Sequence, residues 1–116
     1  MKDDQLEMTL YFDFYGELLT EKQRTCFDLY YNQDLSLSEI AQLEGISRQG
    51  VHDAISRAEA QLSQLEQITG CVRSARAAAQ TAQRLEALAR RLAALPGDEA
   101  QAIAGEIREA AASLKE

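Results

Sequence analysis

Apolar side chains recur along the chain at helical intervals, and most of the breaks between them carry residues that start or stop a helix. Over residues 6–19, Leu10, Tyr11, Phe14, Tyr15 and Leu18 follow the i, i+1, i+4, i+5, i+8 stripe of an amphipathic helix. Gly16 weakens its end. Thr20 with Gln23 three positions later makes a capping box, each side chain accepting the other residue's backbone N–H, so a second helix is expected from Glu21. Its inward face reads Gln23, Cys26, Phe27 and Tyr30, and it should end near positions 32–34. Ser36 and Glu39 form another capping box and open a short third helix through Leu43, with Gly45 placed to close it in a left-handed turn. Ser47 then caps a fourth helix beginning at Arg48. Its apolar positions Val51, Ile55, Ala58, Leu62 and Leu65 continue without a breaker to at least Gln67, and Gly70 interrupts.

Beyond Gly70 the pattern changes to an Ala- and Arg-rich helix over residues 71–95, both residues being strong helix formers. Ala78, Thr81, Leu85, Leu88, Leu92 and Leu95 step by three and four, the seam of a coiled coil. Leu95-Pro96-Gly97 marks a turn, and Asp98 with Gln101 suggests a third capping box. A last helix carries a second seam at Ala100, Ile103, Ile107, Ala110 and Leu114. The expected fold is all-α, with five or six helices: an N-terminal bundle over residues 1–68 and a C-terminal helical hairpin over 71–116. Two helices alone leave apolar flanks uncovered, so Leu85, Leu88, Leu92, Leu95, Ile103 and Ile107 are the candidate seam of a homodimer.

Composition supports helix, because a single proline and six scattered glycines leave few turns for strands. No apolar run reaches the length of a membrane span, so no membrane insertion is expected. The acidic start, with Asp3, Asp4 and Glu7, is unlike a secretory signal, and a cytoplasmic location is expected. Charge changes the picture more. The net charge is -7, and the acidic excess falls in residues 1–70, which hold five basic side chains against thirteen carboxylates. Phosphate neutralisation dominates most nucleic-acid affinity, so an acidic bundle begins at a disadvantage there.

Residues 37–55 have the skeleton of a helix-turn-helix. Ile40 is apolar, Ala41 is small where the two helices cross, Gly45 turns the chain, Ile46 plugs the turn and Val51 sits on the buried side of the second helix. The segment "LSLSEIAQLEGISRQGVHDAISRAEAQL" resembles the promoter-reading C-terminal domain (region 4) of sigma factors. Nearly the whole chain resembles the YlxM family of small bacterial helix-turn-helix proteins, through "LYFDFYGELLTEKQRTCFDLYY", "LSLSEIA", "SRQGVHD" and Pro96 followed by a helix. That resemblance implies a regulatory role in the signal recognition particle pathway, with the particle's GTPase, its receptor or its RNA as partners.

The outward residues of the second helix depart from a phosphate-binding surface. Ser47, Arg48, Gln49, His52 and Arg57 are the candidate contacts to a nucleic acid or a partner, able to reach base edges or phosphates. Asp53 and Glu59 would repel phosphate, and Asp53, four before Arg57, is placed to pair with it. Gly50 would add local softness. Arg73 and Arg76 form a secondary basic patch that could touch RNA or an acidic protein surface. The aromatic residues Tyr11, Phe12, Phe14, Tyr15, Phe27, Tyr30 and Tyr31 are expected in the core rather than on a base-stacking platform. His52, the sole histidine, has no nucleophile or carboxylate at a catalytic spacing. Cys26 and Cys71 lack metal-ligand spacing, and no glycine-rich phosphate loop exists. The sequence therefore points to a protein without metal, cofactor or enzymatic activity. Its work would be regulation by binding protein or ribonucleoprotein, with sequence-specific DNA binding as the alternative.

Overall fold

The caps place the helix starts. In a computed structural model that describes residues 2–115, with side chains from Gln5 onward, Thr20, Ser36 and Ser47 each begin a helix. The helices are α1 (Lys2–Tyr15), α2 (Glu21–Tyr31), α3 (Leu37–Glu44), α4 (Arg48–Thr69), α5 (Cys71–Ala93) and α6 (Asp98–Ser113), with a 3₁₀ turn at Gly16–Leu18. No strand occurs among the described residues. Two of the three expected capping boxes form reciprocally, Thr20 with Gln23 and Ser36 with Glu39. Gly45 and Gly70 close α3 and α4 at φ of 67° and 63°, where a β-carbon would strain the backbone. Asp34 takes the same left-handed conformation after α2, a role its short polar side chain tolerates.

The chain divides into two compact units, Met1–Val72 and Arg73–Glu116. In the first, α4 is the spine, and its 22 residues run about 33 Å. Its inner stripe, Val51, Ala54, Ile55, Ala58 and Leu62, is buried throughout. The front of this stripe joins Cys26 and Ile40 in one cluster, while its middle joins Tyr15, Leu19, Phe27 and Val72 in another. Tyr31 packs against both.

The inner face of α1 keeps Leu10, Tyr11 and Tyr15 of the expected stripe, whereas Phe14 and Leu18 are exposed and Met8, Phe12 and Leu19 join the core. At three residues per turn, the 3₁₀ segment rotates Leu18 outward and delivers Leu19 inward. Gly16 leaves room for the Phe12 ring, which would lie 3.2 Å from a β-carbon there. Phe12 stacks on Phe27 with centroids 4.6 Å apart, and Phe27 on Tyr31 at 4.3 Å. On α2 it is Tyr31 rather than Tyr30 that turns inward; Tyr30 is exposed and meets Tyr31 edge-on.

Glu66 continues the inner stripe of α4 as a buried carboxylate. Its Oε1 accepts the Tyr15 hydroxyl at 2.7 Å and the Val72 backbone N–H at 2.9 Å, so one side chain ties α1 to the start of α5. Thr69 Oγ1 lies 2.5 Å from the same hydroxyl. Burial and the neighbouring Glu66 carboxylate push the Tyr15 phenol above its ordinary range.

In the second unit the buried stripe is displaced by one position in each helix. Ala82 and Ala89 of α5, and Ala104 and Ala111 of α6, are essentially inaccessible. Leu85, Leu92 and Ile107 are half-buried, whereas Leu88, Leu95, Ile103 and Leu114 are exposed. The Asp98–Gln101 box does not form. α6 starts one residue earlier, after Gly97, and Asp98 lies in its first turn, where a carboxylate favours the N-terminal dipole.

Candidate recognition surface

Ile40 anchors α3 from within the helix-turn-helix, with no exposure, against Cys26, Val51, Ala54 and Ile55. Ala41 and Ile46 pack on the same cluster. Burial raises the Cys26 thiol above its ordinary range, with the Glu44 carboxylate adding to the effect. The turn is sealed by the backbone N–H groups of Gly45 and Ile46, both donating to the Ala41 carbonyl at 3.0 and 3.2 Å. α4 is thereby fixed with Val51, Ala54 and Ile55 inward and the opposite face of its first turns outward.

Ser47, Arg48, Gln49, His52 and Arg57 are all exposed on this part of α4. Ser47 is first a cap: its Oγ accepts the Gly50 N–H at 2.9 Å. Gly50 fits that role, since a β-carbon there would sit 3.1 Å from the Ser47 hydroxyl; its small size serves the cap rather than softness. Arg48, Gln49 and His52 line a shallow recess of about 420 Å³ together with Leu37. A second recess of about 320 Å³ brings Arg57 together with Lys22 of α2, flanked by Thr20, Gln23 and Asp53. Nothing in the sequence spacing links Lys22 to Arg57; only the packing of α2 on α4 does.

Asp53 lines the second recess. The expected Asp53–Arg57 pair is absent among the described residues. Asp53 Oδ1 instead accepts Gln49 Nε2 at 2.9 Å, with His52 Nδ1 3.7 Å away. Gln49 and Arg57 lie four positions to either side of Asp53, both in helical reach, and the Gln49 amide holds its carboxylate. The surface therefore alternates a cation, an internally satisfied polar cluster around one carboxylate, and a second cation. Glu59, half-buried, accepts a hydrogen bond from the Tyr31 hydroxyl.

Arg73 and Arg76 are exposed near the start of α5 and belong to the second unit. The seam residues Leu85, Leu88, Leu92, Leu95, Ile103 and Ile107 lie in that unit as well. Among the described residues no group of three or more His, Cys, Asp or Glu side chains could hold a metal ion. No helix there is long and apolar enough to cross a membrane. Sequence reasoning missed the Tyr15–Glu66–Val72 network. Its one trace is the placement of Glu66 four residues after Leu62, on the buried stripe of α4.

Capped helices, a left-handed glycine between them and an outward-facing second helix define a helix-turn-helix protein. The chain belongs to the UPF0122 family of YlxM/p13-like helix-turn-helix proteins, whose family model matches residues 2–94. A UPF0122 protein of Thermoanaerobacter sp. (strain X514) is 55% identical over 73 residues, covering 63% of this chain and 62% of that protein. One from Symbiobacterium thermophilum is 53% identical over 72 residues, covering 62% and 66%. One from Shouchella clausii is 54% identical over 67 residues, covering 58% and 62%. The chain thus spans a little under two thirds of the length of these curated relatives.

Proposed function

We propose that this chain is a non-enzymatic regulatory protein of the cytoplasm whose α4 surface docks on protein or ribonucleoprotein. The family resemblance suggests the signal recognition particle GTPase, its receptor or its RNA as that partner. The observation that carries this reading is Asp53, exposed among the candidate contacts, its carboxylate accepting the Gln49 amide at 2.9 Å with His52 Nδ1 3.7 Å away. A carboxylate there repels a phosphate backbone and occupies the amide that would otherwise read a base edge. A protein surface with its own cations meets no such penalty, and the acidic N-terminal unit would steer it in.

A second reading, sequence-specific DNA binding, is favoured by Arg48 and Arg57, which are exposed and without an ion-pair partner among the described residues. The test measures binding of the full chain to the GTPase alone, to the GTPase with its RNA, and to random and genomic duplex DNA across a salt titration. Binding to the GTPase or its ribonucleoprotein at physiological salt, weakened at least about tenfold by Arg48→Ala or Arg57→Ala, is expected. Nanomolar, sequence-selective duplex binding, abolished by Arg48→Ala with the fold intact, would overturn the proposal in favour of a transcription factor.

A further inference from the structure

The second unit carries two exposed rows with the same spacing and opposite charge. On α5 the row is Arg84, Leu88 and Arg91. It is continued by Leu95, whose N–H still donates to the Leu92 carbonyl at 3.1 Å. On α6 it is Glu99, Ile103, Glu106 and Ala110, ending in Leu114. Both rows step by four, three and four, and both alternate a charge with an apolar side chain. In each, the two charges are seven residues apart, a rise of about 10.5 Å. Over their whole length the helices differ in the same sense. α5 holds five arginines against one glutamate, and α6 four carboxylates against one arginine.

Neither row is buried among the described residues. Leu88, Leu95, Ile103 and Leu114 are 40–55% exposed, while the inaccessible stripe runs through Ala82, Ala89, Ala104 and Ala111. The ion pair found in this unit among the described residues is Lys115 with Glu86 at 3.0 Å, outside both rows. Arg84, Arg91, Glu99 and Glu106 have none among the described residues.

We infer that a second copy of this chain covers these rows, the α5 row of each protomer lying on the α6 row of the other. A two-fold axis makes such a contact self-complementary, so one interface satisfies both rows of both copies. The leucines and isoleucines supply the apolar area, and the alternating arginines and glutamates fix the pairing. The interface belongs to the second unit and does not depend on what the α4 surface binds.

Mixing two charge-reversed full-length chains tests the pairing. The Arg84→Glu/Arg91→Glu chain carries two acidic rows, and the Glu99→Arg/Glu106→Arg chain two basic rows. In sedimentation velocity the wild type is expected to be dimeric at micromolar concentration. Each reversed chain alone should dimerise at least about tenfold more weakly. An equimolar mixture should recover a one-to-one heterodimer, and about 1 M salt, where screening shortens to roughly 3 Å, should weaken that recovery. Far-ultraviolet circular dichroism establishes that each variant is folded. If a reversal unfolds the tail, the neutral pairs Arg84→Gln/Arg91→Gln and Glu99→Gln/Glu106→Gln take its place, each expected to weaken the dimer. A wild type that stays monomeric, folded variants that dimerise unchanged, or reversed chains that fail to associate on mixing would overturn the inference.

Discussion

Replacing Ile40 with alanine removes three carbon atoms from a side chain with no solvent exposure, packed between α2, α3 and the front of α4. At about 0.8 kcal/mol per buried methylene, the lost transfer energy is about 2.4 kcal/mol. The neighbours Cys26, Val51, Ala54 and Ile55 come from two other helices and can close the gap only in part, so the residual cavity raises the cost to about 3–4 kcal/mol. A domain the size of the first unit is worth about 4–11 kcal/mol in total, so this one change takes a large share of it. Leu43, three residues further on the same helix, is 66% exposed and supplies the control. Leu43→Ala should change stability by less than about 0.5 kcal/mol. The assay is urea unfolding followed by far-ultraviolet circular dichroism and tyrosine fluorescence, compared at unchanged m-value. A cost below about 1 kcal/mol for Ile40→Ala, or equal costs at the two positions, would refute the packing that orients α4.

Gly45→Ala meets no neighbour within 4 Å but must hold φ near 67°, so it should cost about 1 kcal/mol in a thermal melt, with α3 and α4 retained. Ser36→Ala removes the acceptor for the Glu39 N–H and should cost about 1 kcal/mol by the same measurement. The Glu39 carboxylate is held below its ordinary 4.5 by the Ser36 backbone N–H and then by the Ser36 side chain. Its contribution is therefore present above that value and lost as the pH falls through the folded one. Melting temperature against pH should show this acid loss in the wild type and less of it in Glu39→Gln. Tyr15 has the opposite sign: burial and Glu66 raise its phenol above 10.0, so its contribution is full below that value and lost as the pH rises through the folded one. Tyrosinate absorbance should show one phenol titrating late, and Tyr15→Phe should abolish that late component.

The caps and turns were legible in the sequence because they are local. Thr20 with Gln23, Ser36 with Glu39, Ser47, and Gly45 satisfy backbone groups within four positions, and their chemistry admits few alternatives. Helical content, the helix-turn-helix and family membership follow from them. Tertiary structure decided which of two adjacent apolar residues points inward: Leu19 over Leu18, Tyr31 over Tyr30, Ala89 over Leu88. Periodicity defines a face only to within about one residue, or 100° of rotation, and a local change such as a 3₁₀ turn is enough to shift it. Distance along the chain hid the rest. Tyr15 and Glu66 are 51 positions apart, and Lys22 meets the Arg57 recess only because α2 packs on α4. Asp53 had two partners in reach at helical spacing, i−4 and i+4, and spacing alone does not choose between them; in the folded chain Gln49 holds it.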